Sequence, residues 1–250
     1  DVWLDNAQRL GIDLATIEAV FLSHWHADHS GGFPTVVAAV AEARAVAGLP
    51  APVVDLHPDR PDQRGIRLPT GSFVLLPPEP TFDDLTAAGG DVRRNPDPHA
   101  VADLFYGSGA IDRVTPYETG LVGHHSFHGD ECRPDPLIMD ERFVAAHVRG
   151  RGVTVLSACS HAGVVNACLG AQVDFPYTPI DVVLGGYDLA SKALETRIED
   201  TFRDLRDVVD PMVIATGHCT GWRSFAALSD TFAPGRYAPS VVGSRYLLSE

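Results

Sequence analysis

The sequence is poor in basic residues, lacks paired cysteines and has no long apolar run. Of its 250 residues, 19 are Lys or Arg and 33 are Asp or Glu, which gives a net charge of −14. A chain this acidic repels phosphate backbones and anionic lipid headgroups, and its basic residues are scattered, so we expect no nucleic-acid partner. A membrane span needs about 20 consecutive apolar residues, but the longest candidate, residues 33–41, stops at Glu42. We therefore expect no membrane partner either.

The cysteines indicate a reducing compartment. Cys132, Cys159, Cys168 and Cys219 form no Cys-x-x-Cys pair, and four cysteines in a chain of this length are too few for a disulfide framework. Reduced thiols are the rule inside cells. The sequence also opens without the basic and apolar segments of a secretory signal. Together these features predict a cytoplasmic protein.

The order of predicted elements is that of an α/β protein. Short apolar segments predict strands at residues 18–23, 153–157, 181–184 and 212–215. Helices are predicted at residues 6–10, 33–46, 140–148, 162–169 and 192–207. Strands that lead into helices through short turns favour α/β layers. No segment has the composition of a linker, which predicts one domain.

One short segment holds most of the chemistry in the sequence. Residues 23–32 read Ser-His-Trp-His-Ala-Asp-His-Ser-Gly-Gly and directly follow a predicted buried strand. Residues i and i+2 of an extended chain point the same way, so His24 and His26 can share one metal ion. Where the chain turns toward the next helix, Asp28 and His29 are directed at a neighbouring point. Imidazole and carboxylate suit zinc, iron and manganese, so this ligand set alone does not name the metal.

A solvated histidine-rich loop is the alternative interpretation of this segment. Such a loop requires neither the buried strand before it nor the Gly31-Gly32 turn and helix after it. The combination therefore favours a metal site.

The His-x-His-x-Asp-His pattern resembles the signature of the metallo-β-lactamase fold superfamily. In that superfamily the ends of distant strands add a His, a bridging Asp and a last His, and His161, Asp188 and His218 follow predicted strands in this order. The resemblance implies an αββα four-layer sandwich with a dinuclear metal site. It assigns the ligands to two ions, with His24, His26 and His161 on the first, Asp28, His29 and His218 on the second, and Asp188 bridging them.

Further blocks resemble one branch of this superfamily, typified by the dihydropterin synthase of methanopterin biosynthesis. These blocks are residues 6–14, 108–118, 140–141, 159–166, 185–189 and 217–221. The sequence departs from the branch at Asp188, where the branch has His and the wider superfamily has Asp. It also begins without the strands that precede the histidine segment in the family. We therefore expect a single metallo-β-lactamase-like domain over residues 1–250 that is incomplete at its N-terminus, with part of one sheet absent.

The resemblance also implies an enzyme with a small-molecule substrate. Two divalent ions, zinc first with manganese or iron as alternatives, would acidify a bridging water, and the resulting hydroxide would attack carbon or phosphorus. Asp28 would orient this nucleophile. The implied function is a metal-dependent hydrolase or transferase acting on a small, phosphorylated heterocyclic substrate. Two alternatives stay open, namely a di-iron redox enzyme with the same fold and a metal-binding scaffold without turnover.

Two further groups of residues have candidate roles. Arg113 and Glu118 lie in the 108–118 block, which suggests substrate contact, with a surface ion pair as the alternative. His124, His125 and His128 lie in a polar, Gly-rich stretch that predicts a mobile loop. A loop on the substrate side and an extra metal site are the alternatives for these three histidines.

Overall fold

The computed structural model describes residues 2–248 and divides the chain into two compact units. Among the described residues, the first unit comprises residues 2–103 and 121–136, and the second comprises residues 104–120 and 137–248. The predicted single domain over residues 1–250 extends to residues 1, 249 and 250, which lie outside the described residues. That prediction therefore stays a prediction.

Strands and helices alternate through much of the chain. The strands are β1 (Ala19–Phe21), β2 (Val53–Leu56), β3 (Gln63–Arg67), β4 (Phe73–Leu75), β5 (Asp91–Arg94), β6 (His99–Val101), β7 (Phe105–Gly107), β8 (His124–His128), β9 (Glu131–Pro134), β10 (Val144–Val148), β11 (Gly152–Ser157), β12 (Ile180–Gly185) and β13 (Val213–Thr216). The α-helices are α1 (Val2–Arg9), α2 (Ala27–Ser30), α3 (Phe33–Val46), α4 (Phe82–Ala87), α5 (Val164–Asp174), α6 (Ile198–Asp204) and α7 (Trp222–Thr231). This content confirms the predicted α/β class.

The first unit contains a short parallel sheet in the order β1-β2-β5. Helix α3 has the predicted bounds, and its buried side chains Val36, Val37 and Val40 recur at helical spacing, which gives it an apolar face. The core of this unit is the buried cluster Leu22, Trp25, Val37, Val54, Leu56 and Leu85. Because Leu22 and Trp25 are both buried there, the chain on either side of His24 is anchored by packing.

A second sheet in the first unit is antiparallel, with the order β4-β3-β8-β9. His124, His125 and His128 lie in β8, so the prediction of a mobile loop at these residues was wrong. Strand β8 pairs with β3 on one side and β9 on the other. The polar composition of this segment favours a loop, but hydrogen bonds to a strand on each side make it a strand. Strand propensity depends strongly on such context.

The second unit contributes consecutive strands of a mixed sheet in the order β13-β12-β11-β10-β7. Strands β11, β12 and β13 are parallel, while β10 is antiparallel to both β11 and β7. The parallel strands are nearly continuous runs of buried apolar residues, as expected of strands covered on both faces. Their carboxyl ends lie in register, with Ser157 beside Gly185 and Gly185 beside Thr216. The turns that follow these three strands therefore begin at one edge of the sheet.

The prediction of a helix over residues 140–148 was wrong. Residues Val144–Val148 form strand β10, which pairs antiparallel with β11, and Gly150 adopts a positive φ in the turn between them. The helix-forming residues Glu141, Arg142, Ala145 and Ala146 favour a helix locally. A full ladder with a buried neighbouring strand overrides that propensity.

The other predicted elements are observed with shifted bounds. Predicted helix 162–169 is α5, which continues to Asp174. Predicted helix 192–207 is broken into a 3₁₀ turn at Leu194–Arg197, helix α6 and a π-helical turn at Leu205–Val209. Among the described residues, no helix is long and apolar enough to cross a membrane.

Candidate metal centre

The histidine segment after β1 brings three imidazoles together. His24 and His26 are buried, and Nε2 of His24 lies 3.0 Å from Nδ1 of His26. The ring of His29 lies 4.6 Å from that of His24, measured between centroids. Asp28 is exposed, with one carboxylate oxygen 3.4 Å from Nε2 of His29. The structure thus brings together the donors that the sequence predicts within this segment.

Packing and hydrogen bonds fix the direction of these side chains. Trp25 is fully buried in the core, and its indole N–H donates to the carbonyl oxygen of His57 at 3.0 Å. The hydroxyl of Ser23 lies 2.9 Å from Nδ1 of His24. With Nδ1 occupied in this way, Nε2 is the nitrogen of His24 that faces His26. A metal ligand whose second nitrogen is hydrogen-bonded is held in one orientation.

His124 also contacts this cluster, although its sequence context predicted a mobile loop, with a substrate-side loop and an extra metal site as the alternatives. It is buried in β8, and its Nε2 lies 2.9 Å from Nε2 of His26. The two residues are 98 positions apart, so no local spacing connects them. The one available signal was the alternation in His-His-Ser-Phe-His, where His124 and Ser126 are both buried.

In the second unit, the turns after the parallel strands hold the other candidate ligands. His161 follows β11 and is buried, with its Nδ1 3.2 Å from an oxygen of Asp188, which follows β12. The buried carboxylate of Glu141 accepts the backbone N–H of His161 at 2.8 Å and that of Ala162 at 2.6 Å. The turn that presents His161 is therefore held by a carboxylate placed just before β10.

Asp188 does not cap a helix. It has a left-handed backbone with φ of 48° and is buried. The next helical segment begins at Leu194, with Ala193 as its N-cap. Asp is a favoured helix N-cap residue, but that alternative to metal bridging is wrong for Asp188, because its carboxylate is directed at His161.

Strand β13 leads to His218, which is exposed and has φ of 49°. The donor atoms of Cys159, His218 and Cys219 lie within 4.8 Å of one another. The Cys219 thiol donates to the backbone oxygen of Cys159 at 3.3 Å. The carboxyl edge of this sheet thus carries imidazole, carboxylate and thiol donors, all of which are metal ligands.

Buried carboxylates govern the electrostatics of this edge. Burial lowers the pKa of His161, but the hydrogen bond to Asp188 and the charges of Glu141 and Asp188 outweigh it and raise the pKa to about 9. Burial raises the pKa of Glu141, against the opposing effects of His161 and the two backbone N–H groups. The negative charge of Glu141 and Asp188 beside His161 would also favour the binding of a metal cation there.

Arg113 and Glu118 are placed by contacts within the protein. The buried Glu118 carboxylate accepts the N–H of Val165 at 3.0 Å and that of Asn166 at 2.9 Å, at the start of α5. Arg113 donates to the carbonyl oxygens of Ile111, at 3.1 Å, and of Leu137. These contacts account for both residues as structural. Their role in substrate binding stays a prediction.

Comparison with known proteins identifies the family. The profile of the metallo-beta-lactamase superfamily matches residues 2–130, so the chain belongs to that superfamily. A curated relative from Methanocaldococcus jannaschii, 7,8-dihydropterin-6-methyl-4-(beta-D-ribofuranosyl)-aminobenzene-5'-phosphate synthase, is 23% identical over 224 residues, which cover 88% of this chain and 72% of the relative.

Solved structures show the same fold. The crystal structure of Tm1679, a metal-dependent hydrolase of the beta-lactamase superfamily, matches with a TM-score of 0.78 and 22% identity, covering all of this chain and 86% of the other. The isothiocyanate hydrolase from Delia radicum gut bacteria matches with a TM-score of 0.51 and 12% identity, covering 95% and 79%. The predicted metallo-β-lactamase fold is confirmed.

Proposed function

We propose that the chain is a metal-dependent hydrolase or transferase that binds two divalent metal ions, zinc first with manganese or iron as alternatives. The proposed ligands are His24, His26 and His161 for one ion, Asp28, His29 and His218 for the other, and Asp188 as the bridge. The observation that supports this assignment best is the pair of facing nitrogens, 3.0 Å apart, on the buried His24 and His26. This pair places two imidazole donors side by side, and imidazole nitrogens are common ligands of zinc.

The donor chemistry of both units fits such ions. In the first unit the rings of His24, His26 and His29 are clustered. In the second, an oxygen of Asp188 lies beside a nitrogen of His161. Neutral imidazole and carboxylate are the ligands that zinc, manganese and iron accept.

The protein's own groups have distinct tasks in this proposal. When bound, paired divalent ions make water acidic and stabilise developing negative charge. The exposed carboxylate of Asp28 can accept a hydrogen bond from an attacking water and orient it. Glu141 fixes the turn at His161 through two backbone hydrogen bonds. Asp188, held by its turn, supplies two oxygens where an imidazole supplies one nitrogen.

The proposed substrate is a small phosphorylated heterocycle. The name of the M. jannaschii relative describes a product that contains a dihydropterin and a phosphate. We propose the same chemical class for this chain and a cytoplasmic location. At 23% identity the relative supports the class and not the particular molecule.

Metal analysis and a substrate panel test the proposal. Purified protein, His24→Ala and the control His147→Ala are compared for bound metal and for turnover of phosphoesters, lactones and pterin phosphates. His147 is exposed in β10 and has no proposed role. We expect wild type and His147→Ala to bind about two divalent ions per chain and to turn over a phosphorylated member of the panel. His24→Ala should lose metal and activity.

Other results would contradict the proposal in distinguishable ways. Full metal occupancy in His24→Ala would refute the ligand assignment. Two irons without zinc, together with oxidase activity, would favour the redox alternative. Bound metal without turnover of any compound would favour the scaffold.

A further inference from the structure

The ring of His26 lies between two other imidazoles. Its Nδ1 lies 3.0 Å from Nε2 of His24, and its Nε2 lies 2.9 Å from Nε2 of His124. Both distances are those of hydrogen bonds, and all three side chains are buried. In a neutral imidazole one nitrogen donates and the other accepts. The positions of the protons along this row therefore depend on what lies at its end.

The row ends on a group that can only accept. Nδ1 of His124 lies 2.9 Å from the backbone carbonyl oxygen of Asp135. This nitrogen must donate, so the proton of neutral His124 is on Nδ1 and its Nε2 has a lone pair. That lone pair accepts from Nε2 of His26. The proton of neutral His26 is then on Nε2, and its Nδ1 has the lone pair that faces His24.

We propose that His124 is a positioning residue that holds His26 in the tautomer able to bind metal through Nδ1. This inference rests on the proposed function, because it takes His26 as a ligand. Nothing in the His-x-His-x-Asp-His segment supplies this partner, which comes from β8. Such partners orient a ligand and raise its basicity.

His124 is itself rigidly held. It lies in the middle of the sheet, since β8 pairs with both β3 and β9. The Asp135 N–H donates to the carbonyl oxygen of His124 at 2.9 Å. Arg64 binds the Asp135 carboxylate, with Nη2 3.0 Å from the oxygen, and donates to the carbonyl oxygen of Trp25. The network thus returns to the histidine segment beside His26.

Zinc affinity and imidazole NMR test this role in the full chain. Zinc dissociation constants are measured by competition with a chelator for His124→Leu, His124→Gln and the control His125→Leu. His125 is the next residue of β8, so its side chain lies on the opposite face of the sheet, with its ring 5.1 Å from that of Phe73. ¹⁵N spectra of the zinc-loaded protein report which nitrogen of His26 binds zinc.

We expect His124→Leu to weaken zinc binding about 10- to 100-fold, the usual effect of removing such a partner. His124→Gln should recover most of that loss, because its amide oxygen can accept from Nε2 of His26. His125→Leu should bind like wild type. The spectra should show a protonated Nε2 and a zinc-bound Nδ1 on His26. If His124→Leu does not fold, the Gln variant and the spectra decide.

The outcomes separate this inference from the proposed function. If His26→Ala loses zinc while His124→Leu binds it as tightly as wild type, only the role of His124 is overturned. Zinc bound through Nε2 of His26 would overturn it as well. If His26→Ala retains full zinc, the proposed function fails and this inference fails with it.

Discussion

Residues with left-handed backbone conformations lie directly behind the parallel strands of the second unit. Ser160 has φ of 62°, Asp188 of 48° and His218 of 49°. Non-glycine residues adopt this region infrequently, and it persists when the surroundings demand it. At Ser160 the demand is visible, since its hydroxyl donates to the carbonyl oxygen of Gly186 at 2.7 Å. These left-handed residues end the extended course of the chain in the turns that hold His161, Asp188 and His218.

Substitution of Asp188 by Asn tests the bridging role. The amide can still accept a hydrogen bond from Nδ1 of His161, so we expect the variant to fold. It is a poor bridge between two cations, which in two-metal sites are about 3.5–4 Å apart. Bound metal should fall from about two ions per chain to about one, with most turnover lost. Elemental analysis and activity assays on the purified variant measure both.

Asp230→Asn is the control for this substitution, because Asp230 is exposed near the end of α7 and should behave as wild type. If Asp188→Asn retained two metal ions at a near-normal rate, the bridge assignment would be wrong. The ligand search would then turn to the other donors behind β11 and β13, including Cys159 and Cys219.

The site residues differ in how far the sequence could predict them. His24, His26 and His29 lie within one segment, so local spacing was sufficient. His161, Asp188 and His218 became candidates only through the resemblance to the superfamily, in which the ends of distant strands contribute ligands. The contact of His124 with His26 could not be predicted, because it depends on which strands neighbour β8 in the sheet.

At the scale of elements, close contact between β11 and β12 controls where the turns begin. Gly185, at the end of β12, has φ of 141°, and a Cβ there would lie 1.6 Å from the carbonyl oxygen of Ser157. We expect Gly185→Ala to cost more than about 3 kcal/mol of unfolding free energy, since backbone must move to admit the methyl group. Gly235→Ala is the control: its φ is +90° but nothing lies within 4 Å, so only backbone strain of about 1 kcal/mol applies. Similar urea midpoints for the two variants would contradict the close approach.

Glu118 and Asn166 join the 114–118 loop to helix α5 reciprocally. The Glu118 carboxylate accepts from the first turn of the helix, while the Asn166 side chain accepts the N–H groups of Val114 and Thr115 at 3.0 and 2.9 Å. Burial raises the pKa of Glu118 above its ordinary value of 4.5, and the hydrogen bonds from the backbone N–H groups of Asn166 and Val165 oppose this rise.

The pH dependence of stability tests this arrangement. Because the folded pKa of Glu118 is above the unfolded one, the folded state binds more protons between the two values. Stability from this group is therefore present below the unfolded pKa and decreases as pH rises through the folded pKa. Glu118→Gln removes this titration, so the advantage of wild type over the variant in melting temperature should shrink as pH rises from about 4.5. Glu42→Gln, at an exposed position of α3, should show no such trend. If the advantage of wild type over Glu118→Gln in melting temperature grew as pH rises, the raised pKa of Glu118 would be contradicted.

Elements were predictable where local and global preferences agree. Residues 33–46 are helix-forming and also present an apolar face, so the predicted bounds of α3 were right. Over residues 140–148 the helix-forming Glu, Arg and Ala residues favour a helix, but pairing with the neighbouring strand β11 makes residues 144–148 a strand. Strand β8 shows the same conflict for a polar segment. In both cases the deciding partner is distant in sequence.

At the scale of the whole molecule, each unit has its own apolar core. The first is built around Trp25 and α3, and the second around α5 and the strands β11 and β12. The α/β class followed from the order of strands and helices. The metallo-β-lactamase fold required the resemblance of motifs, because composition and periodicity do not specify how sheets are arranged.

Since burial holds both cores, removal of metal should leave the fold in place. We expect protein treated with a chelator to keep its far-UV circular dichroism and a cooperative thermal transition. Restoring zinc should raise the melting temperature, because a ligand that binds only the folded state stabilises it by about 2.7 kcal/mol at a concentration 100 times its dissociation constant. His24→Ala should show a smaller rise at the same zinc concentration, and His147→Ala a normal one. Unfolding on treatment with the chelator would show instead that the fold depends on the metal ions. An equal rise in melting temperature for wild type, His24→Ala and His147→Ala would show that the stabilising zinc does not bind at His24.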